Sequence, residues 1–527
     1  MKKKLCIYIC LIFILILPSG CIQKKVQTIS TRKYVMYNIG VLPKDLLMLD
    51  NDNIRQQDLL LCLFEGLISV DKNDEIVPAL AYEWNISDDG LCYTFKMREK
   101  AKWSNGRKIK AQDFVEFFSK VLICKNNIYK EQLYCIFGAK DYVENKVDFK
   151  SVAITAIDDK TLEIRLNYPC SYFLQILSQP IYALRKDFKY LEDWKNKYSS
   201  IMYSGPFNLD NIIENDELCL IKNNEYWDKK SVLSEKIHIS SEKMDAFAVA
   251  DYKANETDII VNPPISVIDE FIKKNEFFQS PSIEGISLKF NLYKGGVITN
   301  SDFRKSINYC INRNDIVENK LEGVGEAAVD YIPENINEES KAVVLDLYSN
   351  IDKAKKFLEK SKYNGQKIKI AYFNNKDINK KIVNSIVKAL KILNINVSSE
   401  GYNEDELKKV INNGEYDILL SNYQGEYNFS MCFLEKYSSD SIFNIYGYKS
   451  HKFDEAILKA KIAQTKEKQI EFLNKAKEIL IDDMPCIPIC FVDNIVCKKN
   501  YIKNIEINKK GNIILKRVYV NNNKLKP

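Results

Sequence analysis

The sequence predicts an α/β protein built from more than one domain, and two observations carry that expectation. At 527 residues the chain is too long for a single hydrophobic core and should divide into two or three. Between residues 352 and 423, helix-period and strand-period apolar patterns alternate in the βαβ manner. A hydrophobic content of 46% beside 28% charged residues is that of a folded globular chain and excludes extensive disorder.

In the 352–423 stretch, Asp352 to Lys362 reads as a helix with Ala354, Phe357 and Leu358 on its apolar face. Lys367 to Phe373 alternates as a strand, Lys381 to Leu393 is helical, and Ile395-Asn396-Val397 is the next strand. Glu404-Asp405-Glu406 places acidic residues at the positive end of another helix, which Gly414 closes. A short buried strand, Ile418 to Ser421, then runs out into a polar, aromatic tip ending at Tyr427. Open α/β sheets keep their ligand contacts at such carboxyl ends. Tyr423, Gln424, Gly425, Glu426 and Tyr427 thus form a candidate ligand-binding segment, beside the plainer reading of an ordinary surface loop.

The N-terminus reads as an export signal. Met1-Lys2-Lys3-Lys4 precedes the apolar run Leu5 to Leu17, and Pro18-Ser19-Gly20-Cys21 follows. As a helix that run would span about 20 Å against the ~30 Å of a bilayer core, too short for a stable anchor. Small residues before Cys21 resemble the lipobox of bacterial lipoproteins, with Pro18 where leucine is usual. That resemblance implies cleavage before Cys21, lipidation of Cys21, and a polar tether over residues 21–31.

Farther along, Leu59 to Leu67 shows a helical apolar face, and Leu67 to Val70 and Leu91 to Met97 read as strands bounded by turns. Lys110 to Phe114 opens an amphipathic helix with Phe114, Phe117, Phe118 and Val121 on one side.

Several function classes fall away. A net charge of +6 over 77 basic and 71 acidic residues, without a basic run after the leader, gives no nucleic-acid footprint. Two histidines, His238 and His451, offer little for metal or acid–base chemistry, and no metal or cofactor is expected. The 14 cysteines lack a disulfide-scaffold pattern; Cys62, Cys92, Cys310 and Cys432 read as small core residues, and Cys486 and Cys490 as packing. Gly323-Val324-Gly325 follows a helical stretch, Ile316 to Leu321, which is the wrong context for a dinucleotide loop. Hydrolase, zinc-protease and P-loop motifs are absent from the sequence, so it is not read as an enzyme.

A run of blocks in order carries a family resemblance: Phe64-Glu65-Gly66-Leu67, Val77 to Trp84, Ser87 to Phe95, Arg98 to Gly106, and Ala111 to Val115. It continues through Ala156 to Glu163, Ser204-Gly205-Pro206-Phe207, Lys222 to Asp228, Phe303 to Arg313, and Asp483 to Pro488. Together these resemble the extracellular oligopeptide-binding proteins of ABC transporters, solute-binding family 5. The resemblance implies a two-lobed periplasmic-binding-protein fold (class II), with an extra domain in the first lobe and hinge strands joining the lobes. It implies lobe I from residues 32–64, 200–280 and 488–527, an inserted domain over 65–199, and lobe II over 281–487. It further implies a monomer held by its lipid on the outer face of the cytoplasmic membrane, passing peptides to ABC permease subunits. A sensor of a signalling peptide, or a carrier of a sugar or metal chelate, stays open beside it.

In the family a carboxylate after this strand binds the peptide's α-amine, within the pattern Gly-Trp-x-Ala-Asp-Tyr. Asn422-Tyr423-Gln424-Gly425-Glu426-Tyr427 matches it position by position, with Glu426 at the anchoring acid and Tyr423 at the tryptophan. Two departures bear on the ligand: Leu420 replaces a basic residue that contacts the ligand carboxylate in some members, and Ile286-Ser287-Leu288 replaces a tyrosine-rich block. A longer peptide, whose carboxylate lies beyond the strand, is compatible with both.

Overall fold

A computed structural model describes residues 32–522, apart from 52, 214–216, 337–344 and 375–376. The expected signal peptide, the tether and Cys21 lie outside the described residues.

The protein is a two-lobed α/β fold organised on two long antiparallel strands, Phe277–Phe290 and Cys486–Lys498. At one end of this pair, Ile259–Val261 joins the Cys486 strand, followed outward by Tyr34–Asn38, Lys236–Ser240, Glu217–Lys222 and Phe207–Ile213. At the other end, Ile418–Gln424 joins the Phe277 strand, followed by the parallel strands Ile368–Phe373 and Val397–Tyr402. One continuous sheet thus serves two lobes, and only the long pair belongs to both.

Where that pair passes between lobes its ladder breaks: the register jumps between Ser280↔Asn494 and Glu284↔Val492. Three residues, Pro281 among them, stand opposite Asp493 alone. Proline cannot donate to a ladder, and a bulge bends the strand that carries it, so a hinge falls here. A second shift, between Ile286↔Cys490 and Ser287↔Pro488, accommodates Pro488 in the same way. Elsewhere the Cys486 strand is nearly continuously buried, as a strand covered on both faces must be.

A separate four-stranded antiparallel sheet, Ala81–Ile86, Cys92–Met97, Thr161–Arg165 and Ile154–Asp158 in spatial order, carries the helix Ala111–Ile123. Phe114, Phe117, Phe118 and Val121 of that helix are all buried.

The sequence blocks are scaffold contacts. Trp103 is buried, with its indole nitrogen 3.3 Å from Asp113 Oδ2. Glu65 accepts from the Tyr226 hydroxyl and the Trp227 indole, while burial raises its carboxyl. Gly205 passes so close to the Leu63–Phe64 peptide that a Cβ would lie 2.5 Å from the Phe64 nitrogen. Arg304 and Arg313, both buried, donate to the main-chain carbonyls of Met484 and Pro488, fastening the helices Ser301–Cys310 and Arg313–Lys320 to the start of the long strand.

Four elements differ from the sequence reading, the first being the helical face read over Leu59 to Leu67, which belongs to a helix running Ile54–Leu63. The helix expected from Lys381 begins at Asp377, and the strand expected at 395–397 runs Val397–Tyr402. Ile395 is a buried residue of the turn before it. The strand expected to end at Ser421 continues through Gln424, because Asn422, Tyr423 and Gln424 pair with Ile286, Gly285 and Glu284 of the long strand. Tertiary pairing overrides the polar character of those residues.

Candidate functional site

Ile418–Gln424 sits between two neighbours of unequal length. On one side it pairs with the Phe277 strand along its whole length. On the other it pairs with Ile368–Phe373 only at Ile418, Leu419 and Leu420. Among the described residues no strand pairs with Ser421–Gln424 on that side. The result is a short edge without a strand partner at the carboxyl end of a parallel sheet, a position able to accept an added strand, with the Asn422 and Gln424 carbonyls accepting from Ser421 Oγ and Lys436 Nζ.

That edge opens into a cavity of about 840 Å³ between the lobes, within the ~300–1,000 Å³ of ordinary ligand sites. Lobe II supplies Asn422, Tyr423 and Gln424, together with Asp377 and Lys381 from the helix that begins where the shorter strand stops. Lobe I supplies the segments after its own strand ends, Asn38 to Gly40 and Asn262 to Ser266, and also Asn53 to Arg55. The floor is formed by the long strands at their break, with Glu284 and Asp493.

Of the acids on the floor, Glu284 accepts from the Asn422 amide at 2.6 Å and Asp493 from the Gln279 amide at 2.7 Å. Burial raises the Asp493 carboxyl above the usual range. Arg55, also in the wall, is committed to Asp58 at 3.0 Å and to the Tyr37 hydroxyl at 3.2 Å.

The five candidate residues divide into two groups. Tyr423 and Gln424 line the cavity. The Tyr423 ring lies over Gly285, where a Cβ would come within 2.5 Å of it, and packs edge-on against Phe433 and Phe491. Gln424 reaches across to lobe I, donating to the Lys510 carbonyl at 3.0 Å. Gly425, Glu426 and Tyr427 lie behind the wall. Gly425 is pressed against Phe433 and Cys432, and Tyr427 stacks on Tyr172 at 5.7 Å. Glu426 is 5% exposed, and its Oε1 is 2.6 Å from Lys436 Nζ. Leu420 belongs to the lobe II core.

The lobes are in contact. Tyr172, from the segment between Cys92–Met97 and Phe207–Ile213, stacks on Phe429 at 4.7 Å, and Ser171 Oγ is 2.6 Å from Gln469 Oε1. With the Gln424–Lys510 bond these contacts join the two lobes.

Sequence reasoning missed the lobe I wall and the two floor acids. Nine chain segments meet here, and periodicity reports none of their encounters. Asn262-Pro263-Pro264 directly after a buried strand was the available signal, and Asn262 does adopt a left-handed conformation, φ 50°. No group of three or more metal-ligating side chains occurs among the described residues. The eleven described cysteines form no disulfide.

A family model, bacterial extracellular solute-binding proteins, family 5 (middle region), matches residues 75–444. The chain belongs to this family. It is 28% identical over 86% of its length to the oligopeptide-binding protein OppA of Bacillus subtilis, covering 87% of that protein. The murein tripeptide binding protein MppA of Escherichia coli superposes with a TM-score of 0.82 at 22% identity, over 93% of this chain and 99% of that one. Its unliganded open form gives 0.74 at the same identity, over 93% and 98%. The family consists of extracellular solute-binding proteins.

Proposed function

We propose that this protein captures peptides between its lobes and delivers them to an ABC permease, tethered to the outer face of the membrane through a lipid on Cys21. The observation that carries the reading is the edge Ser421–Gln424, without a strand partner on its outer side among the described residues and open into an interlobe cavity. An extended peptide added to that edge gains main-chain hydrogen bonds that no side chain of its own need supply. The volume of the cavity, about 840 Å³, leaves room for varied side chains, with Tyr423, Gln424, Glu284 and Asp493 in its lining. Relatives described as oligopeptide-binding support the ligand class. Gln424, bonded to Lys510 of lobe I, links occupation of the edge to lobe closure.

Native mass spectrometry of the protein incubated with a random-sequence pentapeptide library tests the ligand class. Retained peptides with small-angle scattering that reports compaction are the expected outcome; retention of a sugar or metal chelate with no peptide would overturn it. Detergent-phase partitioning of wild type and Cys21→Ala tests the anchor, since only the wild type should enter the detergent phase.

A further inference from the structure

Glu426 stands two residues beyond the end of the edge strand, and its carboxylate is closed off from water: its side chain is 6% exposed, and that of Lys436 14%. Lys436 Nζ stands 2.6 Å from Glu426 Oε1. The same ammonium donates to the Gln424 main-chain carbonyl and lies 4.9 Å from the centre of the Phe443 ring. A carboxylate, a main-chain carbonyl and an aromatic face converging on one point make a receptor for an ammonium ion. Here the receptor is filled from within the chain.

Lys436 has little freedom to leave. It follows the short helix Met431–Leu434, all four residues of which are buried, and the next residue, Tyr437, is buried with its hydroxyl 3.0 Å from Cys486 Sγ. A ligand ammonium could reach Glu426 only by expelling this lysine from its counter-charge, and an enclosed cation without a partner is strongly disfavoured.

We propose that Lys436 is a built-in occupant of the ammonium position at the end of the peptide-binding edge. The protein therefore binds peptides through their main chain whether or not the α-amine is free. Its ligand class extends to N-blocked peptides and to internal segments of longer chains. This rests on reading the interlobe cavity as a peptide site, and it makes Lys436 a specificity-determining residue acting through Glu426.

The test compares a random-sequence pentapeptide library with its N-acetylated counterpart, each titrated against wild type and Lys436→Met by competition native mass spectrometry. For wild type the two libraries should bind within about twofold of each other. Lys436→Met leaves a carboxylate in need of a cation, so that variant should favour free amines by about tenfold or more. Lys436→Gln, neutral and still able to hydrogen-bond, gives the same readout if the methionine variant does not fold. Tenfold discrimination against the acetylated library by wild type overturns the proposal. So does a folded Lys436 variant with no preference for free amines. Binding of neither library by wild type would instead overturn the peptide reading on which the proposal rests.

Discussion

Replacing Tyr172 with alanine should loosen the closed state while leaving each lobe folded. The ring stacks on Phe429 at 4.7 Å with an interplanar angle of 28°, and on Tyr427 at 5.7 Å and 7°. Both partners belong to the segment that leaves the sheet after Gln424, so the two pairs exist only while the lobes touch. Each such pair contributes ~0.5–1.5 kcal/mol beyond the area it covers, so their joint loss removes about 1–3 kcal/mol from closure. With 1.4 kcal/mol per tenfold, the closing equilibrium falls by a factor of about 5 to 150. A ligand that binds the closed state loses affinity by the same factor if the wild type rests closed only when occupied. Titration of a peptide recovered from the library, with scattering of the ligand-free protein, reads both quantities. Affinity within twofold of wild type together with an unchanged radius of gyration would refute the assignment of these rings to closure.

Further outcomes follow from buried charge and close packing. Asp58 is fully buried, and desolvation outweighs Arg55 and the Tyr37 hydroxyl to push its carboxyl up to about 6. Its folded value exceeds the unfolded one, so the native state binds the extra proton. That stabilising contribution is complete below about pH 4 and is lost as pH rises through about 6, amounting to about 3 kcal/mol. Thermal unfolding of wild type and Asp58→Asn across pH 4–7 should show the slope in the first and a flatter profile in the second. Lys477 and Asp330 form a buried pair at 2.8 Å; Lys477→Met should cost about 3–5 kcal/mol in urea unfolding, much of it restored by Lys477→Met combined with Asp330→Asn. Gly205→Ala places a Cβ 2.5 Å from the Phe64 nitrogen and should cost about 1–3 kcal/mol in the same assay, because backbone there must shift.

What the sequence determined by itself was the class of the fold and the neighbourhood of the site. The βαβ alternation after residue 352 was legible because helix and strand periods are local properties of the chain. The helix Glu404–Asn412 was legible at both ends from its acidic first turn and from Gly414, while the capping role of the Asn403 side chain came only from the structure. The ordered blocks were legible as a family pattern, but their reason was not. Gly205 is required by Leu63 and Phe64, and Arg313 by Pro488, across separations that no window spans.

Only the tertiary structure decided how far the strand at 418 runs and what faces it. Asn422 to Gln424 read as a loop by composition and became strand by pairing with Glu284 to Ile286. The cavity exists because two lobes meet at the break in the long strands, bringing Asn262 and Asp493 to residues with which they share no sequence signal. Glu426 shows the limit most directly. Its place after the strand could be read from the chain, whereas the ammonium beside it could not, since nothing in the spacing from Glu426 to Lys436 dictates a 2.6 Å contact. A carboxylate's position is set by local sequence, but its partner is set by how the chain folds back.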